Sequence, residues 1–346
     1  MEKLLIDKLL QASVLQKEEW MFLLSERNPE LMEYAGEKAR QVSLQHFGNK
    51  VFARGLIEFT NYCKNNCFYC GIRAGNKKAT RYRLTKEEIL TCCKIGNDLG
   101  FRTFVLQGGE DPYFTDEKLL DIITAIKEKH PDSALTLSFG ERSYASYLAF
   151  RNAGADRYLL RHETANPEHY SQLHPKNLLA LPRKQCLYDL KRIGFQTGTG
   201  FMVGSPFQTI ENLAEDMLFI ADFKPEMLGI GPFIPHKDTA FANFSAGNVE
   251  LTLFLLSLSR LLLPKVLLPA TTALGTLNSQ GREKAVLAGA NVVMPNLSPI
   301  EVRKQYMLYN NKIATGLEAA EGVKKLGESL AAVGYKLVHE RGDYFN

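Results

Sequence analysis

The chain has 346 residues, 45% of them hydrophobic and 23% charged, with 26 glycines and 14 prolines. This is an ordinary globular mixture, which excludes collagen-like, low-complexity and disordered classes. Forty-two basic against 38 acidic residues leave a formal charge of +4, too mild over this length to argue for nucleic acid or an anionic membrane as a partner.

Residues 1–50 read as a helical segment. Leu4, Leu5, Leu9 and Leu10 recur at helical spacing, as do Trp20, Leu23 and Leu24. The first twenty residues read as an amphipathic helix rather than a secretory signal, so a cytoplasmic location with reduced thiols is expected. From residue 51 short apolar runs alternate with helical stretches. The eight runs are 51–61, 102–110, 134–141, 156–164, 196–204, 227–235, 266–274 and 291–299. Helices are expected over 85–100, 116–129, 143–154, 182–194, 209–223 and 249–263. Thr85 with Glu88 forms a capping-box pattern, and Gly100, Gly154, Gly194 and Gly289 stand where helix C-caps belong. The apolar stretch 251–273 is interrupted by Arg260, Pro264 and Lys265, so no membrane span is predicted.

Strand–helix alternation predicts parallel pairing with right-handed crossovers. Eight units predict an α/β fold, a (β/α)8 TIM-type barrel over 51–313. Residues 1–50 form its N-terminal helical extension, and 314–346 a C-terminal helix and tail packing on the barrel. Polar residues gather at the C-terminal ends of the runs: Thr60–Asn61, Gln107–Glu110, Ser138–Glu141, Arg161–Thr164, Pro235–His236, Thr271–Thr272, Pro295–Asn296; His236 there reads equally as substrate-facing or as a loop anchor. Barrel active sites lie on that rim. Strand ends can also be polar merely because strands end there, but the beginnings of these runs are less polar.

Cys63, Cys67 and Cys70 follow the first run with spacing C-x3-C-x2-C. At six cysteines in 346 residues, chance produces that spacing roughly 0.002 times per chain. Three thiolates on one compact loop can hold three corners of a [4Fe–4S] cube and leave the fourth iron open. Zinc is the rival, but no fourth Cys or His follows within twenty residues of Cys70. Cys92, Cys93 and Cys186 read as small buried hydrophobes. On the fourth run, alternation puts Arg161 and Glu163 on one face and His162 on the other. Two inward ionic groups need each other or a ligand.

The octapeptide CKNNCFYC carries the signature of the radical S-adenosylmethionine (SAM) enzymes. Within that superfamily the segments QGGEDPY, YLLRHETANP, GFMVGSPFQT, GIGPFIPHKDT, PATTALGT and GANVVMPN resemble the HydE maturases of [FeFe]-hydrogenase assembly, from about Val51 to Tyr309. The resemblance implies one [4Fe–4S] cluster on Cys63, Cys67 and Cys70, with SAM as co-substrate cleaved to a 5′-deoxyadenosyl radical. It implies SAM contacts from Tyr69, Gly108, Gly109, Glu110, Ser138, Glu163, Arg183 and Met202. Arg161, Thr136, Thr271, Thr272, Met294, Tyr306 and Tyr309 would line the substrate cavity. The substrate would be small, organometallic or amino-acid-derived: a cysteine-bound iron carbonyl–cyanide species. The implied protein partners are a low-potential reductant and companion maturases, with neither nucleic acid nor membrane involved. A second cluster, carried by some relatives near the end of the barrel, is not expected, because 310–325 has no cysteine. A methylornithine-synthase-like mutase and a non-catalytic iron–sulfur scaffold are the rival readings. A biotin-synthase-like enzyme would need further rim cysteines.

Overall fold

The computed structural model describes residues 2–11, 14–313 and 320–345; residues 314–319 of the expected C-terminal segment lie outside them. The chain opens with three helices, α1 (Glu2–Leu10), α2 (Lys17–Ser25) and α3 (Pro29–Phe47). Asn28 caps α3 by accepting from the Leu31 amide, with Pro29 at the first helical position.

The barrel follows in order: β1 (Lys50–Ala53), β2 (Gly55–Thr60), α4 (Lys86–Asp98), β3 (Thr103–Gly108), α5 (Asp116–Lys129), β4 (Ala134–Ser138), α6 (Tyr144–Asn152) and β5 (Arg157–Leu159). Next come α7 (Pro167–Leu173), α8 (Ala180–Ile193), β6 (Gln196–Thr199), β7 (Met202–Val203), α9 (Ile210–Phe223), β8 (Met227–Leu228) and β9 (Gly231–Pro232). The remainder is α10 (Val249–Leu262), α11 (Thr272–Leu277), α12 (Gly281–Leu287), β10 (Val292–Val293), α13 (Ile300–Arg303), α14 (Val323–Ala332) and β11 (Lys336–Val338). The Thr85–Glu88 capping box starts α4, and Gly194 ends α8 at φ 91°.

All regular pairing is parallel, in the order β2-β3-β4-β5-β6-β8, with β10 beside β1. The seventh run forms no regular strand because Pro269 lacks an amide hydrogen. It still bridges its neighbours. Leu228 donates to Leu267 at 3.0 Å, Leu267 to Glu226 at 3.0 Å, and Ala270 to Val292 at 2.8 Å. Those bonds carry the ring from β8 to β10 and back to β1. Residues 272–274, expected to end that strand, instead begin α11.

Among the described N-terminal residues, the helices flank the barrel and leave its floor to another segment. α3 and α1 pack on α10, and α2 on α9. This explains the apolar stretch near 251: α10 is covered on both sides, and eleven of its residues are buried. A helix that is apolar all round belongs between two layers. The floor is closed by the C-terminal tail. β11 pairs with β1, and Arg341 and Asp343 bond to Arg157 beneath the strands at 2.8 and 2.7 Å. No helix among the described residues is long and apolar enough to cross a membrane.

Candidate active site

The loop after β2 carries Cys63, Cys67 and Cys70, and Arg81 organises it. The Arg81 guanidinium donates to the carbonyls of Asn61, Ile72, Arg73 and Asn76. Four carbonyls of an irregular loop are thus met by one side chain, the Arg73 carbonyl accepting from the Asn76 amide as well. Nothing in the sequence marked Arg81, because its partners are defined only once the loop has folded. The loop is tied to its surroundings by Lys64 N–H to Glu110 O, Phe68 N–H to Leu173 O and Gly71 N–H to Leu308 O. Gly109 is required where the second strand end passes this loop: a Cβ there would lie 2.1 Å from the Tyr62 carbonyl oxygen.

The three cysteines are free and half-buried. Burial raises the Cys63 thiol and pushes Cys67 up to about 12, with Cys63 adding to the effect on Cys67. Burial raises Cys70 as well, and both other cysteines add to it. Three such thiols ionise together only around a cationic body. An all-sulfur donor set suits an iron–sulfur cluster or zinc. Among the described residues no three Cys, His, Asp or Glu side chains converge as ligands of a single metal ion. Three free thiols on one loop, all lining the same cavity, are a donor set that fits the cube.

Above the loop lies a cavity of about 340 Å³. Of the residues expected at the site, its wall includes Cys63, Cys67, Cys70, Tyr69, Gly108, Gly109, Glu110, Ser138, Arg161, Glu163, Arg183, Met202, Thr271, Thr272, Met294, Tyr306 and Tyr309. Thr136 is the exception. It sits on β4 two residues before Ser138, buried, off the cavity wall, with its hydroxyl unpartnered.

Alternation after β5 holds. Arg161 and Glu163 face the cavity, with Arg161 Nη2 3.3 Å from Glu163 Oε2. His162 faces outward, bonded to Thr199 at 2.8 Å and Asp216 at 3.2 Å, so it is structural. The inward pair is left incomplete: Arg161 Nε and Nη2, Glu163 Oε2 and Thr271 Oγ1 are buried without a hydrogen-bond partner. Glu163 also has φ 66°, a left-handed conformation that costs a non-glycine residue roughly 1–3 kcal/mol. Orphaned donors and acceptors with local strain on one wall are what a ligand-binding surface looks like before its ligand arrives.

Sequence reasoning missed Glu58, Tyr170, His174 and Lys312 on this wall and placed Glu141 on the rim without a partner. Glu141 accepts from Arg183 at 2.8 Å, so that guanidinium is already matched. Burial works against the Arg183 charge, but Tyr170, Glu141, Glu163 and Glu110 outweigh it. His174 donates through Nδ1 to the Tyr170 carbonyl at 2.9 Å, which leaves Nε2 to accept from the Tyr69 hydroxyl at 3.2 Å. Burial holds this imidazole neutral, down at about 3. At the far end Lys312 bonds to Glu58 at 2.6 Å, across 254 residues of sequence. His236 serves as a loop anchor, accepting the Asp238 amide at 3.1 Å.

Comparison with known proteins fits this geometry. The pattern of the radical SAM superfamily matches residues 57–220. The [FeFe] hydrogenase maturase subunit HydE of Thermotoga maritima is 46% identical over 275 residues, covering 80% of this chain and 78% of that one. The chain belongs to the HydE family of radical SAM enzymes. A 3-methylornithine synthase of Methanosarcina barkeri is 30% identical over 85% of this chain and 83% of its own. The crystal structure of methylornithine synthase (PylB) superposes with TM-score 0.82 at 28% identity, covering 96% and 97% of the two chains. The maturase HydG shares the fold, with TM-score 0.82 at 18% identity over 98% of this chain and 76% of that one. As a HydE-family enzyme, the chain uses a [4Fe–4S] cluster and SAM, and it needs a reductant.

Proposed function

We propose that this enzyme acts in maturation of the [FeFe]-hydrogenase di-iron centre, on a small cysteine-bound iron carbonyl–cyanide species, alongside companion maturases. Cys63, Cys67 and Cys70 hold three corners of the cluster. When bound, the cluster supplies the electron that cleaves the S–C5′ bond of SAM. The chain's own residues bind, orient and shield. Gly108, Gly109 and Glu110 receive the methionine ammonium, with the carboxylate of Glu110 as acceptor. Tyr69, its ring fixed by His174, backs the adenine. Ser138 and Met202 flank the nucleoside. Glu163 accepts from the ribose hydroxyls, and Arg183, steadied by Glu141, faces the SAM carboxylate. Arg161 takes a substrate carboxylate. Thr271, Thr272, Tyr306 and Tyr309 offer uncharged hydroxyls to acceptor groups, and Met294 supplies apolar wall. Thr136 supports that wall from below, an indirect role.

The observation that carries this reading is the unpaired set of Arg161, Glu163 and Thr271 atoms on the wall facing the cysteine loop. A lysine mutase would need a free carboxylate for a second ammonium group. Of the four carboxylates on this wall among the described residues, Glu110 and Glu163 are given to SAM above, and the other two already face cations: Glu58 faces Lys312 and Glu141 faces Arg183. The test is reconstituted enzyme with dithionite and SAM. 5′-Deoxyadenosine or an adenosylated product is expected; neither forming would overturn the reaction, and lysine converted to 3-methylornithine would assign the mutase instead.

A further inference from the structure

On the outer side of the cysteine loop a second hollow, of about 350 Å³, opens to the surface. Gly71 and Ile72, the two residues after Cys70, form its inner wall, and Ile72 lines the inner cavity as well. The partition between the cluster loop and this hollow is therefore a single strand of backbone. It is kept thin by packing: a Cβ on Gly71 would lie 2.1 Å from the Met307 carbonyl oxygen and 2.4 Å from the His236 ring.

The rim of the hollow is basic. Lys78, Lys237 and Lys304 line it, and Lys77 is exposed beside Lys78. Among the described residues Asp238 is the one carboxylate on its wall, 3.1 Å from Lys78, whose side chain remains 81% exposed. The whole chain carries an excess of only four positive charges, so this rim concentrates a large share of it over the backbone that covers the cluster loop. The inner cavity has no use for these lysines, since none of them lines it.

We propose that this basic hollow is the docking surface for the electron donor, an acidic low-potential carrier protein that seats against Lys78, Lys237 and Lys304 and passes one electron through the Gly71–Ile72 partition. This rests on the radical SAM reading above. The carrier is oxidised by one electron as the cluster is reduced by one, and no other co-reactant is needed. Rim charges act chiefly on association rate and its salt dependence, and complementary fields raise encounter by about 10-fold to 1000-fold.

The test compares two reductants on the reconstituted enzyme, with carrier affinity measured separately by calorimetry using an acidic ferredoxin. The triple variant Lys78→Gln/Lys237→Gln/Lys304→Gln is expected to bind ferredoxin about 10-fold or more weakly. It should lose most of the salt dependence of binding and lose ferredoxin-driven SAM cleavage in proportion. Its dithionite-driven cleavage should stay at the wild-type rate. Asp238→Asn removes the opposing charge and should tighten ferredoxin binding, an effect in the opposite direction that damage to the loop would not produce. Unchanged ferredoxin affinity in both variants overturns the proposal. Absence of dithionite-driven cleavage in the unmodified enzyme overturns the family reaction instead, and the binding measurement still decides the docking surface.

Discussion

Arg157 and Arg161 lie on one inward-facing run of chain, four residues apart, at opposite ends of the barrel. Arg157 is fully buried in the floor, and each of its nitrogens donates: Nε to Gln196, Nη1 to Thr103, and Nη2 to Arg341 O and Asp343. Arg161 is partly open to the cavity, with Nε and Nη2 making no hydrogen bond and Glu163 3.3 Å away as its ion-pair partner. The same side chain on the same run of chain is closed off by protein at one end and left open at the other. A floor arginine with every donor used stabilises the fold. A rim arginine left short of partners is a cost to the fold that a ligand offsets.

That contrast can be broken at several points. Replacing Cys70 with Ser at the rim should abolish cluster-dependent SAM cleavage, with iron content falling well below that of the unmodified enzyme. The thermal midpoint of the metal-free protein should hardly change; a large drop would mean that the loop, and not only the floor, carries stability. Arg157→Met should act the other way. It takes one of two arginine partners from Asp343 and one of two donors from the Arg341 carbonyl, and should lower unfolding stability by about 1–3 kcal/mol in chemical denaturation, with the KM for SAM preserved in the fraction that folds. Arg161→Met should raise the substrate KM by about 10-fold to 100-fold, the loss of a charge-assisted contact. Its stability should fall less than that of Arg157→Met, because Arg161 Nε and Nη2 give up no hydrogen bond and Arg183 stays near Glu163. If Arg161→Met destabilised as much as Arg157→Met, the rim–floor distinction would be wrong. Thr271→Val removes an orphaned hydroxyl at nearly constant shape; a few-fold rise in substrate KM and an unchanged or higher thermal midpoint are expected.

The smallest effect concerns pH. Burial alone would raise the Asp343 carboxyl, but hydrogen bonds and charge from Arg341 and Arg157 outweigh it and hold it below its usual 3.8. A folded-state value below the unfolded one means that the stabilisation is complete above pH 3.8 and fades as pH falls through the depressed value. The thermal midpoint of Asp343→Asn should therefore lie below that of the unmodified chain at pH 7, and the gap should narrow below pH 4. A constant gap down to pH 3 would show that the Asp343 charge plays no part in closing the floor.

The sequence by itself determined what depends on local chemistry and short spacing. The C-x3-C-x2-C motif, the strand–helix rhythm, the Thr85–Glu88 cap and the inward pairing of Arg161 with Glu163 are all written within a few residues. Periodicities of two and 3.6 suffice to read them. Tertiary structure decided everything that joins distant segments. Lys312 meets Glu58 and His174 meets Tyr69 only after the barrel closes, and no pattern along the chain predicts such partners. Arg81 gains its meaning from four carbonyls that a folded loop brings together. Pro269 hides a strand that backbone bonds to its neighbours reveal. The tail under Arg157 closes a floor whose end of the chain lies 186 residues further along. Local preferences choose the elements; which buried charge finds a partner, and which is left for a ligand, is settled by the packing of the whole ring.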